Sequence, residues 1–237
     1  MKKLLLATAL MAFAPLAHAE DSAVRQPAEK PALHYLNPAD VLPQRLYAQP
    51  PVAGSTYEKL ELDFVRADIA SASPERLAQA KWDEEHENPT AFNEVLGRDL
   101  TKLPATWDLL ITIQDEAYAV SSLAKDAFDR QRPFGLDHAL PTCEKVDYAK
   151  TGRGYPSGHA TVGYAVGWTL ARLMPDIAPG ILSRADEYAQ SRSLCAAHFP
   201  SDTAASKAVA MLVAERLIND PRLADKIAAA RKELSAQ

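Results

Sequence analysis

The stretch PATWDLLITIQDEAYAVSSLAKDAFD, residues 104–129, is the longest run of apolar periodicity in the chain. Leu109, Ile113, Ala117, Val120 and Ala124 recur at steps of three and four, which places them on one face of an α-helix. A helix of this length with such a face belongs in the middle of a core. It is expected to open at Pro104 and end near Lys125. Arg132-Pro133 stops it, because the residue before a proline is biased away from helical backbone.

Helical patterns flank this segment on both sides. Ahead of it they cover roughly 55–70, 74–83 and 88–96; behind it one opens at Pro156-Ser157 and runs to about Leu173, where Pro175 ends it. Further helices are expected over 179–197, 202–219 and 221–236, the last a solvated amphipathic end. Residues 134–155 contain Gly135, Pro141, Gly152 and Gly154 and read as a long loop, a feature that in compact domains is often functional. No β-strand run and no internal repeat is visible, and nine glycines beside abundant Ala, Leu, Glu and Lys favour helix. The expected fold class is all-α, a single-domain helical bundle.

Residues 1–19 join Lys2 and Lys3, an apolar run from Leu4 to Ala14, and Ala17-His18-Ala19 as a cleavage site. That is the pattern of a secretory signal peptide, cleaved after Ala19. A membrane anchor needs roughly 20 apolar residues, more than this run supplies, and no later segment reaches that length, so the mature chain is expected to lack an integral membrane segment. Loss of the two lysines leaves 24 basic against 31 acidic residues, a formal −7 in place of −5. A chain this acidic is a poor nucleic-acid binder. Residues 20–237 then fit one domain, with the proline-rich stretch 20–51 wrapping it as an extended arm. Export to the periplasm would place Cys143 and Cys195, the only cysteines, where a disulfide is permitted; a bridge between them is expected, with two buried thiols as the alternative.

The chemistry is carried by three short stretches: Lys125 with Arg132-Pro133 (K-x6-R-P), Pro156-Ser157-Gly158-His159 (P-S-G-H), and Ser191-Arg192 with His198 and Asp202 (S-R-x5-H-x3-D). Arg132 and Arg192 can each donate paired hydrogen bonds to phosphate oxygens, and Lys125 supplies a point charge. Ser157 stands where a helix begins, and helix N-termini offer free amides to anions. By itself Ser157 could be a plain N-cap. His198 and Asp202 are four apart, so on a continuing helical turn the carboxylate reaches one imidazole nitrogen and leaves the other free to attack. His34, His86 and His138 show no metal-ligand spacing.

These motifs resemble the bacterial class A non-specific acid phosphatases, of the superfamily that includes the type 2 phosphatidic acid phosphatases and vanadium haloperoxidases. The likeness extends to His34-Tyr35-Leu36, Ala124-Lys125, Arg130-x-Arg132-Pro133-Phe134 and Cys195. Two departures stand out: Arg153-Gly154 where the family usually has Gly-Ser, and Ala160 where Thr is usual. The resemblance implies a PAP2-type helical fold and a hydrolase of small phosphomonoesters that uses no cofactor and no metal. It assigns His198 as nucleophile, Asp202 as its orienter, His159 as general acid and base, and Lys125, Arg132, Ser157, Gly158 and Arg192 as the phosphate cradle. It also implies a phosphohistidine intermediate, transfer to alcohols as a side reaction, and permits a homo-oligomer. Vanadate-dependent haloperoxidase, lipid phosphatase and a non-enzymatic phosphate-binding protein are the competing readings; the last has no use for His159, His198 and Asp202 together. Arg130 and Arg153 either add positive potential at the mouth or are ordinary surface cations. Tyr118, Tyr148 and Tyr155 either stack on an aromatic leaving group or pack in the core and rim.

Overall fold

The structure is a computed structural model that describes residues 32–236. The signal peptide expected over 1–19 and the first part of the arm, 20–31, lie outside the described residues. The helices are α1 (Pro43–Leu46), α2 (Thr56–Ser71), α3 (Pro74–Glu85), α4 (Asn93–Leu96), α5 (Pro104–Phe128), α6 (Pro133–Leu136), α7 (Gly158–Leu173), α8 (Ala178–Leu194), α9 (Pro200–Ile218) and α10 (Ala224–Ser235). Short 3₁₀ turns join some of them, and every regular element among the described residues is helical.

Local chemistry sets the ends. Ser55 caps α2 by accepting from the Glu58 N–H at 3.2 Å, and Ser73 caps α3 from the Arg76 N–H at the same distance. Proline at the first turn opens α3, α5 and α9, where its missing N–H costs no intrahelical bond. α5 closes on Asp129 in a left-handed conformation (φ 39°), a few residues before Arg132-Pro133.

α7 lies at the centre, with α5, α8 and α9 around it; α10 covers α5, and α3 packs on α8. The periodic face of α5 is fully buried at Leu109, Ile113, Ala117, Val120 and Ala124. Burying an aliphatic side chain of Leu or Ile size contributes about 1.5–3 kcal/mol. α7 and α8 approach so closely that a Cβ at Gly163 would stand 2.5 Å from the Tyr188 ring. That approach sets Tyr188 and Arg192 of α8 beside the first turn of α7.

Four expectations are adjusted. Residues 88–96 form a 3₁₀ turn, Pro89–Phe92, and one turn of α4, because Asn88 spends its side chain on the Thr90 N–H (2.9 Å) and proline follows it. The described part of the arm is not simply extended: it contains a 3₁₀ turn and α1, and it drives Val41 and Tyr47 into the core. His34, Tyr35 and Leu36 are anchored through their backbone N–H groups, which all donate to the Glu116 carboxylate. Finally, α8 stops at Leu194 rather than Ala197, because the chain turns through Ala196 at φ 52°, and α9 starts at Pro200 rather than Asp202.

The Cys143–Cys195 disulfide ties the 134–155 loop to that turn after α8. A crosslink of this kind typically contributes about 2–4 kcal/mol. Among the described residues no helix is long and apolar enough to cross a membrane.

Candidate active site

The turn after α8 delivers the two motif residues that flank it. The Ala197 and His198 N–H groups fold back onto the Arg192 carbonyl at 3.0 and 3.2 Å. His198 is therefore buried beside Arg192 rather than carried on a helix. Its Nδ1 lies 2.7 Å from the Gly154 carbonyl, which only accepts, so the ring proton sits on Nδ1 and the lone pair on Nε2. Nε2 stands 3.4 Å from Arg132 Nη1. Burial, then the positive charges of Arg132, Lys125 and Arg192, hold His198 well below the ordinary imidazole range.

Asp202 is not on one helical turn with His198, because α9 begins only at Pro200; its Oδ2 is 3.5 Å from His198 Nδ1. The ring has a nearer partner in Gly154. The Asp202 carboxylate caps α9 by accepting the Phe199 N–H at 2.8 Å, and its other oxygen accepts from Arg130 at 2.5 Å. Burial pushes its carboxyl up to about 7, with Arg130 and the Phe199 N–H pulling the other way.

Arg130 is neither at the mouth nor on the surface. Its side chain is 4% exposed, bonds Glu61 at 2.9 Å and Ser201 at 2.7 Å as well as Asp202, and lies over the Phe199 ring. Replacing it by Met leaves Asp202 and Glu61 buried without their cation, and about 3–5 kcal/mol of stability is expected to be lost. Denaturant unfolding measures this; a loss below about 1 kcal/mol would mean that water or another cation takes the place of Arg130.

Lys125, in the last turn of α5, is buried and gives its Nζ hydrogens to the Arg153 carbonyl at 2.8 Å. Burial first, then Arg132, pushes its pKa well down. Arg153 has the left-handed φ of 60°, a conformation that favours glycine. Here the Arg153 side chain turns outward to pair with Asp126 while its carbonyl holds Lys125. At Gly154 a Cβ would stand 2.9 Å from the Arg130 carbonyl, so the chain can only come this close without a side chain.

Ser157 is fully buried and is the N-cap of α7, its Oγ accepting the Ala160 N–H at 3.2 Å. Gly158 faces Lys125: a Cβ there would lie 3.5 Å from Lys125 Cε and 3.6 Å from Glu87 Oε1. His159 follows in the first turn, with Nδ1 3.3 Å from Glu87 and Nε2 3.2 Å from the Glu84 carbonyl. Burial lowers its pKa, Glu87 opposes this, and Arg132 and Lys125 reinforce it. Arg192 is buried and paired with the Glu84 carboxylate, its Nε has no hydrogen-bond partner, and burial brings its pKa down to about 9.

Thus the fold gathers Lys125, Arg132, Ser157, Gly158, His159, Arg192, His198 and Asp202 at one end of α7. The sequence reading missed Glu84, Glu87, Gly154 and the inward role of Arg130. Residues 83–87, Asp-Glu-Glu-His-Glu, look in sequence like a solvated helix end; the signal that they are not is Asp83, fully buried against Arg184. Of the tyrosines, Tyr155 packs on Tyr47 and Phe128 in the core, Tyr148 is on the rim against His138 and Phe134, and Tyr118 borders Gly158. His34 is exposed, and His86 stacks on Trp82.

A bundle with a cluster of cations and two histidines at the N-terminus of its central helix has relatives. Residues 106–222 match the PAP2 superfamily model, so the chain carries a PAP2 superfamily domain over that span. It is 29% identical over 215 residues to a non-specific acid phosphatase of Providencia stuartii, covering 87% of this chain and 86% of that one. It is 36% identical over 138 residues to an acid phosphatase of Zymomonas mobilis and 30% identical over 148 residues to a non-specific acid phosphatase of Salmonella typhimurium. Those matches cover 57% and 61% of this chain but only 52% and 59% of the relatives. The fold is also that of a transmembrane PAP2-type phosphatidylglycerolphosphate phosphatase from Bacillus subtilis, with a TM-score of 0.51 over 75% of this chain and 92% of that one, at 13% identity.

Proposed function

We propose that this protein is an acid phosphatase, an exported hydrolase of a broad range of phosphomonoesters acting through a phosphohistidine. The observation that carries the reading is the geometry of His198: its proton is pinned on Nδ1 by the Gly154 carbonyl, and Nε2 stands beside Arg132. A nucleophilic nitrogen needs a free lone pair next to the bound phosphorus. An arginine that grips an equatorial phosphate oxygen brings the phosphorus to that lone pair.

The reaction then has two balanced steps. Nε2 forms a bond to phosphorus as the bond to the leaving oxygen breaks, and that oxygen takes a proton from His159. Water then attacks the phosphohistidine, gives a proton to His159, and the N–P bond breaks to release inorganic phosphate. An alcohol in place of water accepts the phosphoryl group instead. Lys125, Arg132, Arg192, Ser157 and the Gly158 amide stabilise the charge on the equatorial oxygens.

The site's electrostatics support acid operation. The first step needs His198 deprotonated and His159 protonated. His198, held well below the ordinary range, keeps its lone pair as pH falls; His159, lowered less, loses its proton as pH rises through its own pKa. The active window therefore lies on the acid side of about 6.5.

Because three side-chain cations supply the positive charge, hydrolysis of p-nitrophenyl phosphate is expected to persist in EDTA, and vanadate to inhibit competitively. Activity that disappears in chelator and returns with a divalent cation would overturn the reading.

A further inference from the structure

The reaction above makes no use of Glu87, yet this carboxylate reaches the core of the site. Its Oε1 is 3.3 Å from His159 Nδ1, an ion-pair distance without hydrogen-bond alignment, and is buried with no hydrogen-bond partner. Across the ring, His159 Nε2 lies 3.2 Å from the Glu84 carbonyl oxygen. A carbonyl and a carboxylate both accept and neither donates. A neutral imidazole carries one N–H, so in either tautomer a lone pair would face an acceptor. Only the doubly protonated ring makes both contacts attractive. The ring plane is set by Tyr188, stacked at 6.3 Å and itself held by the His86 carbonyl at 3.0 Å.

The Nδ1 side is also the side of the phosphate seat. Glu87 Oε1 and Lys125 Cε approach the same point, the place a Cβ on Gly158 would take. We propose that Glu87 is a positioning residue that keeps His159 protonated for the departing oxygen, with the Glu84 carbonyl holding Nε2 so that Nδ1 gives its proton to the substrate. This rests on the reading of His159 as the general acid. As the P–O bond breaks, the Nδ1 proton passes to the leaving oxygen and the ring keeps its Nε2 proton on Glu84. Nδ1 then takes the proton of the attacking water.

The need for such a partner follows from what surrounds the ring. Lys125 from α5 and Arg132 from the loop after it repel a charged imidazole, and burial penalises it further; Tyr188 from α8 carries no charge. Glu87 and, more weakly, Glu144 oppose them. Without Glu87, burial and these cations are opposed only by Glu144, and the ring's hold on its second proton weakens.

The test is an NMR titration of the His159 ring in the full, substrate-free protein and in Glu87→Gln, beside pH profiles of kcat/KM for an alkyl and an aryl phosphate. The ring is expected to titrate about one unit lower in Glu87→Gln, in line with removal of a carboxylate at this range, and the basic limb of the profile to move down with it. The loss should be larger for the alkyl ester, and Glu87→Asp should recover most of both effects. An unmoved ring overturns the proposal at Glu87 itself. A ring that moves while the limb stays overturns it through the acid reading on which it rests. Activity that rises at every pH in Glu87→Gln, with tighter inhibition by inorganic phosphate, makes Glu87 a competitor of substrate and also overturns it.

Discussion

His198→Ala is expected to lose about 10⁴-fold or more in turnover, the scale seen when a covalent nucleophile is removed and only transition-state binding remains. The same variant should lose the covalent phosphate that acid-labile, base-stable trapping recovers from the wild-type protein during turnover. The loss is this large because no other side chain can replace it: Nε2 is the lone pair set beside Arg132, and the ring is fully enclosed. Asp202→Asn separates orientation from attack. With Gly154 at 2.7 Å and Asp202 at 3.5 Å from Nδ1, the carbonyl does most of the orienting, so the adduct should still form in this variant. Full activity in His198→Ala would overturn the mechanism, whatever Asp202→Asn does.

The contrast between Gly154 and Asp202 marks where sequence reasoning stops. The helices were legible because burial imposes a period: Leu109, Ile113, Ala117, Val120 and Ala124 could only face one core, and they do. The caps were legible too, since Ser157 before Gly158 has a local job that needs no tertiary context. The three motifs were legible because their residue types together suit one anion. Gly154 was not, because its function is a carbonyl, which every residue owns and no residue type announces. Arg130 and Glu87 were hidden for a different reason. A charge in sequence looks solvated until a partner from a distant segment closes over it, and the partners of Arg130 are Glu61 and Asp202, on α2 and α9. The i to i+4 spacing of His198 and Asp202 was a real proximity read with the wrong backbone: the chain reaches it through a turn and an N-cap, not along a helix.

His159→Ala is expected to slow phosphorylation by alkyl phosphates about 10²- to 10⁴-fold, the usual range for a general acid, and by nitrophenyl phosphate far less. An alkoxide is too basic to depart without a proton; a nitrophenolate leaves as the anion. The difference must be read in single turnover, because His159 is also assigned the proton of water in the second step, and slow dephosphorylation would equalise steady-state rates. The pH dependence provides an independent check. In the wild type the alkyl rate should fall as pH rises through the lowered His159 pKa, and in His159→Ala that limb should vanish while the low-pH limb belonging to His198 remains. Equal slowing of both esters in single turnover, with the limb retained, would assign His159 to phosphate binding and leave the leaving-group proton to another donor.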